Sequence, residues 1–389
     1  MKWRPIVLVF NRCYLPGYRA GGPIKTIENM VERLGDDFDF RIVTLDRDSG
    51  CKTAYDGISP NEWYEVGKAK VMYLQPGQSS VRELIGISNA VLPQVVYLNS
   101  FFDQIFTQRV LIAKRFNRLR NITIVIAPRG EFSVGALGLK SLKKQLYIKL
   151  SSFLGLYRSF VWQASSELEK QDILSVLGQL KGCDVKVAND LAPASQPEIK
   201  RSLKVDGEPL RVCFLSRIVP MKNLNFALEV LSEVSVPIHF TIYGPKEIPA
   251  YWDECAEIIA TLPRTITVDY YGSVHPSSVR EMLATHDLFF LPTLGENYGH
   301  VIYEALSVGL PVLLSDKTSW SDVSHNHIGW EYPLDSRAAF VEKIEQVYDW
   351  SIDEQSRVAD RAIQYSEQVS QDDAVIKQNI ELFSLAIKR

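Results

Sequence analysis

Short apolar runs recur along the whole chain, separated by stretches in which apolar residues return every three or four positions. In the first half PIVLVF, FRIVTL, VVYLNS, ITIVIAP and FVWQAS have the length and β-branched content of strands. Between the first two, Pro23 stands at a plausible first helical position and Ile24, Ile27, Val31 and Leu34 fall on one helical face. In the second half RVCFLS, HFTIYG, TVDYYG, DLFFLP, PVLLS and GWEYP alternate with helical patterns in the same way. Strand-then-helix alternation predicts an α/β fold of parallel sheets covered by helices on both faces, and its doubling predicts two Rossmann-like, doubly wound domains in tandem. The segment NDLAPASQPEIKRSLKVDGEP (189–209), rich in Pro, Ala, Ser and Gly, reads as the linker. The expected division is 1–190 and 191–371, with a last helix at about 372–388 that packs on either domain. Ligands in such folds bind beyond the carboxyl ends of the strands, so one cleft faced by both units is expected.

A length of 389 residues suits two domains, and 46% hydrophobic with 23% charged residues excludes a disordered or fibrous chain. No stretch reaches the ~20 consecutive apolar residues of a membrane span, and Cys13, Cys51, Cys183, Cys213 and Cys255 are too scattered for a disulfide framework. A cytoplasmic protein with reduced thiols is expected. The net charge of −3 conceals an asymmetry: residues 1–190 hold 26 Lys and Arg against 18 Asp and Glu, while the remainder holds 17 against 28. Residues 104–160 carry eleven basic residues and a single acid, Glu131. There Lys140, Lys143, Lys144 and Lys149 interleave with leucines. Such a surface suits an anionic leaflet, each cation near it contributing ~1 kcal/mol, or else a helix pair packed on the sheet with solvated lysines. No nucleic-acid module accompanies the patch, so no nucleic-acid partner is expected.

Candidate chemistry concentrates in LPTLGENYGHVIYEALSVGLPVLLSD (291–316). The apolar strand breaks at Gly295, and Val301, Ile302, Ala305 and Leu306 then follow helical spacing, which places Glu296 in the turn and Glu304 on a helix starting near Gly299. Amides around Asn297, Gly299, His300 and Val301 at that start favour an anion, leaving one carboxylate on each side of a bound diphosphate. Taken alone, two such glutamates are ordinarily solvated. In FLSRIVPMKN (214–223), Arg217 and Lys222 lie in a loop after a strand, where a planar fork and a compact ammonium neutralise a diphosphate. The loop LPGYRAGG (15–22) offers Gly21 and Gly22 for close backbone approach, without the spacing of a dinucleotide fingerprint. Arg129 and Glu131 follow a strand and either serve an acceptor or pair with each other; Asn99 and Asp103 face the expected cleft. Asp36, Asp37 and Asp39 read as a solvated turn, and the histidines lack zinc-ligand spacing, so no metal and no cofactor is expected.

The run 291–316 closely resembles the donor-site signature of retaining family-4 glycosyltransferases, the glycosyl transferases group 1 of bacterial polysaccharide biosynthesis, which have the two-domain GT-B fold. The resemblance covers the C-terminal half strongly and the N-terminal half loosely. It implies that Glu296 contacts the donor sugar and Glu304 the ribose. Arg217 and Lys222 become diphosphate ligands, although Ser216 and Asn223 stand where the family has glycine. Gly21 and Gly22 match the family's first glycine-rich loop, backbone near Gly244 and Gly272 reads the base, and Arg129 and Glu131 replace the usual acceptor-side His. A first domain for the acceptor and a second for the nucleotide sugar follow, with UDP favoured over GDP. The implied acceptor is a glycan or polyprenyl-diphosphate-linked glycan for lipopolysaccharide O-antigen, capsule or exopolysaccharide. Transfer would retain configuration without metal, in the cytoplasm or peripherally on the inner membrane face. A nucleotide-sugar 2-epimerase on the same fold and a non-catalytic sugar-nucleotide-binding partner are the competing readings.

Overall fold

A computed structural model describes residues 3–116, 118–119, 122–138, 141–157, 160–177, 184–194 and 196–388. It divides into two compact units, Met1–Ala194 with Asp372–Arg389, and Ser195–Gln371. The first is built on β1 (Ile6–Phe10), β2 (Asp39–Leu45), β3 (Trp63–Val66), β4 (Ala69–Leu74), β5 (Val95–Leu98), β6 (Thr123–Ile126), β7 (Val161–Ala164) and β8 (Asp184–Val187). These form one sheet in the order β3-β4-β2-β1-β5-β6-β7-β8, parallel except for the antiparallel β3–β4 pair. Val7, Leu8 and Val9 are completely buried because helices cover both faces, so the central strand reads as a continuous apolar run. The terminal helix Asp373–Ile387 belongs to this unit, and its Phe383 lies within about 6 Å, ring centroid to centroid, of Phe38, Phe40 and Tyr97.

The second unit holds β9 (Leu210–Leu215), β10 (Ile238–Tyr243), β11 (Ile266–Gly272), β12 (Leu288–Leu291), β13 (Val312–Ser315) and β14 (Gly329–Tyr332), all parallel in the order β11-β10-β9-β12-β13-β14. Its strand order reverses direction between β9 and β12, the position at which α/β sheets leave a crevice above the strand ends.

The boundary between the units falls inside 189–209, where 205–209 and most of 196–200 are exposed and anchored residues flank them. Asn189 and Leu191 give their carbonyls to Asn379 and Asn29 in the first unit, while Arg201 donates to the carbonyl of His286 and the Lys204 amide to Gln355 in the second. Pro and Ala keep the segment irregular, and side-chain amides supply partners for the backbone at its anchored positions.

Candidate active site

Two loops above β9 and β12 meet around Thr293. Its hydroxyl donates to a backbone carbonyl, either that of Met221 at 3.0 Å or that of Gly295 at 2.9 Å, and the Leu294 amide bonds the Met221 carbonyl. Asn223 adopts a left-handed backbone with φ 60° and donates from its amide to the Pro292 carbonyl at 2.9 Å. An asparagine tolerates that conformation, so it serves where a glycine otherwise would. These bonds bring the Lys222 ammonium to 2.5 Å from the Glu296 carboxylate, with side chains only 11% and 16% exposed. The other Glu296 oxygen accepts from the Asn297 amide at 3.2 Å, and the Glu296 amide donates to the Lys317 carbonyl. The carboxylate is therefore anchored from both sides, and a buried cation is held beside it.

Arg217 stands apart from this pair: its guanidinium bonds Glu247 at 3.2 Å on the surface. Such an exposed pair is worth ~0–1 kcal/mol, so Arg217 exchanges partners readily. Behind it Gly244, at φ 130°, passes so close to β9 that a Cβ would lie 1.7 Å from the Ser216 carbonyl oxygen. Its amide bonds the Gly272 carbonyl, and Tyr270 donates its hydroxyl to the Gly244 carbonyl. Beside these glycines the Lys246 ammonium lies over the Trp252 and Tyr270 rings at 3.5 and 4.0 Å from their centroids.

The helix expected from near Gly299 runs from His300 to Leu306, seven residues, with Gly299 in left-handed conformation before it. A Cβ on Gly299 would press Glu296 Cγ and Ile302. The His300 ring packs on Tyr298, Val301 is half-buried, and Glu304 lies further along the helix within electrostatic reach of Arg280. The structure thus gathers Lys222, Glu296, Asn297 and Gly299 into one place, with Glu304 on the helix that follows and Arg217 on the neighbouring loop.

In the first unit, Gly21 caps the helix Gly22–Leu34 with φ 64°, a conformation glycine adopts without steric cost. Asp48, which sequence reasoning passed over, organises this loop by accepting from the amides of Tyr18 and Arg19. Arg129 does not pair with Glu131. It pairs with Asp190, donates to Tyr97 and reaches Asn99 Oδ1 at 2.8 Å, all below the surface. Asp103 caps the turn that follows it through the amides of Ile105 and Phe106, and binds Arg12. No spacing along the chain linked Arg129 to Asp190, since the contact depends on the irregular segment after β8.

Glu131 turns the other way and accepts from Ser100 Oγ and the amides of Phe101 and Phe102. Burial raises its pKa to about 7 despite those bonds. The unfolded chain releases this proton near pH ~4.3, so the folded state binds more protons above that value. Its contribution to stability is then full below the unfolded pKa and lost as pH rises through about 7. Chemical denaturation should show a loss on the order of 3 kcal/mol from this group between about pH 4 and pH 8, absent in Glu131→Gln.

Of the basic patch, Lys140 lies outside the described residues. Lys143 and Lys149 are exposed on the helix Ser141–Phe153. Lys144 turns inward, donating to the Ala136 carbonyl at 2.6 Å and facing the Phe102 ring. Phe102, Gln104, Gln108, Leu142, Lys143 and Tyr147 line an open groove of about 770 Å³ beside it. Among the described residues no group of three or more His, Cys, Asp or Glu is arranged to hold a metal ion.

Comparison with known proteins places these observations. The D-inositol 3-phosphate glycosyltransferase of Rhodococcus erythropolis is 26% identical over 131 residues, 32% of this chain and 30% of that protein. The match thus spans under a third of that relative's length. The crystal structure of Anabaena Alr3699/HepE in complex with UDP and glucose superposes with a TM-score of 0.70 at 15% identity, covering 98% of this chain and all of that one. Sucrose-phosphate synthase from Thermosynechococcus elongatus gives 0.72 at 12% identity, covering 99% and 100%. Both likenesses establish the fold, which is GT-B. Residues 195–366, which lie within the second unit of this GT-B fold, match the family model described as Glycosyl transferases group 1.

Proposed function

We propose that this chain is a retaining glycosyltransferase of the family-4 type. In this reading the second unit binds a nucleotide-diphosphate sugar, and the acceptor is a glycan or lipid-linked glycan of bacterial surface polysaccharide. The observation that carries the reading is the Lys222–Glu296 pair, fixed at 2.5 Å where the loops after β9 and β12 meet. Breaking the bond between the anomeric carbon and the diphosphate builds positive charge on the sugar and negative charge on the leaving oxygens. Lys222, already positioned, meets that negative charge without reorganising, and Arg217 joins it by leaving Glu247. Glu296 accepts from a sugar hydroxyl, Glu304 from the ribose. The acceptor hydroxyl attacks from the face the diphosphate leaves and passes its proton to the departing phosphate, so no protein nucleophile is needed. With two side-chain cations on the leaving group, the reading requires no metal.

UDP is the favoured nucleotide, supported by the UDP-bound HepE structure that shares the fold. The acceptor falls to the first unit. Arg129, Asn99 and Asp103 are engaged within that unit, so we assign acceptor contacts to the groove lined by Gln104, Gln108 and Lys143 instead. A lipid-linked acceptor places the protein at the inner membrane face, held there peripherally.

Thermal-shift measurements with UDP, GDP, UDP-glucose and GDP-mannose test the donor. A ligand at 100 times its Kd stabilises by ~2.7 kcal/mol, and UDP forms are expected to raise the melting temperature more than GDP forms. Product analysis without acceptor separates the competing reading: an epimerised or free sugar from donor alone would replace transfer by 2-epimerase chemistry.

A further inference from the structure

We infer that the helix Ser141–Phe153 inserts an apolar ridge into an anionic lipid bilayer. The inference extends the peripheral attachment proposed above by naming the element that penetrates. Leu142, Leu146, Leu150 and Phe153 are 82%, 68%, 53% and 86% exposed. At about 100° of rotation per residue they fall within an arc of about 80°. Lys143 and Lys149 border that arc, each about 20° beyond one edge. The opposite face carries Tyr147, Ile148 and Ser151, which pack inward, together with the inward-turned Lys144. The helix is therefore apolar on two sides, and one of them satisfies the fold.

Large apolar side chains gathered on one exposed face mark an interaction surface. Charge decides which. From Phe132 to Ser166 the chain has no Asp or Glu, while it has five Lys and Arg. At the far end Arg115 adds a cation, its guanidinium bonded to the Leu154 carbonyl at 3.1 Å. A ridge of leucine and phenylalanine flanked by lysines complements a surface that is apolar within and anionic at its headgroups. The lysine stems lie along the ridge while the ammonium groups reach the phosphates. A second copy of this chain would place lysines against lysines.

The test is flotation of the full chain with vesicles of phosphatidylcholine alone, and of phosphatidylcholine containing about one third phosphatidylglycerol. Wild type is expected to float with the anionic vesicles and to retain part of that binding in about 0.5 M salt, because insertion is screened less than ion pairing. The double variant Leu146→Ser/Phe153→Ser is expected to bind at least about tenfold more weakly at every salt concentration. Lys143→Gln/Lys149→Gln is expected to lose the preference for anionic over neutral vesicles. Unchanged melting temperatures certify that these exposed substitutions leave the fold intact. Wild-type binding to neither vesicle, ridge variants that bind like wild type, or a dimer that the ridge substitutions dissolve would each overturn the inference. No donor or acceptor is present in the assay, so its failure leaves sugar transfer untouched.

Discussion

Glu296→Ala is expected to lower the rate of transfer by ~10²–10³-fold while nucleotide affinity changes by no more than about threefold. Two losses combine at one position. The carboxylate no longer accepts from the donor sugar, and Lys222 loses the partner that holds its ammonium at 2.5 Å. A lysine released from that contact still attracts a diphosphate by charge, which is why UDP binding survives. It no longer sits where charge appears in the transition state, so turnover falls. Lys222→Ala should behave differently, weakening UDP and slowing transfer together, because the charge itself is gone. Glu304→Ala should weaken the nucleotide with the smaller effect on turnover. Steady-state kinetics and UDP titrations on the three variants distinguish the roles. Equal loss of UDP affinity in Glu296→Ala and Glu304→Ala would show that the two carboxylates do not divide sugar from ribose.

Why the pair itself was hidden in the chain, although each member was legible, follows from how it is made. Glu296 and Lys222 each announced themselves by standing after a strand of apolar residues and before a helical pattern. Their contact spans 74 positions and depends on hydrogen bonds from Asn223 to Pro292 and among Thr293, Met221 and Gly295, which no periodicity encodes. The strands show the same division. Those buried on both faces, such as β1 and β12, read as unbroken apolar runs. β3 and β8 lie at the two edges of the first sheet, half-exposed and interrupted by Glu65 and Lys186, and so carry no unbroken apolar run. The β3–β4 hairpin did leave one signal, the Val66-Gly67-Lys68-Ala69 turn with Gly67 at φ 58°, flanked by alternating side chains. The apolar ridge escaped for a related reason: leucines on both faces of Ser141–Phe153 blur the amphipathic pattern, and only burial tells the packed face from the bare one.

Arg129→Met is expected to destabilise the first unit by ~3–5 kcal/mol, a large share of the ~5–15 kcal/mol that holds a domain folded. Arg129 and Asp190 side chains are 8% and 3% exposed, and removing the guanidinium leaves a buried carboxylate that keeps the Thr26 hydroxyl but has lost its cation. Burial works against the Arg129 charge, but Asp190, Tyr97 and Glu169 outweigh it and raise the pKa, so the guanidinium stays charged. Replacing both partners removes the stranded charge, so Arg129→Met/Asp190→Leu should recover most of the loss in urea unfolding. The double variant also separates the two readings of Arg129. If the residue only ties the irregular segment after β8 to the sheet, the refolded double variant transfers sugar at close to the wild-type rate. If Arg129 grips a substrate phosphate, the same variant is stable yet impaired, and the acceptor site lies in the Arg129 cluster and not in the groove beside Lys143.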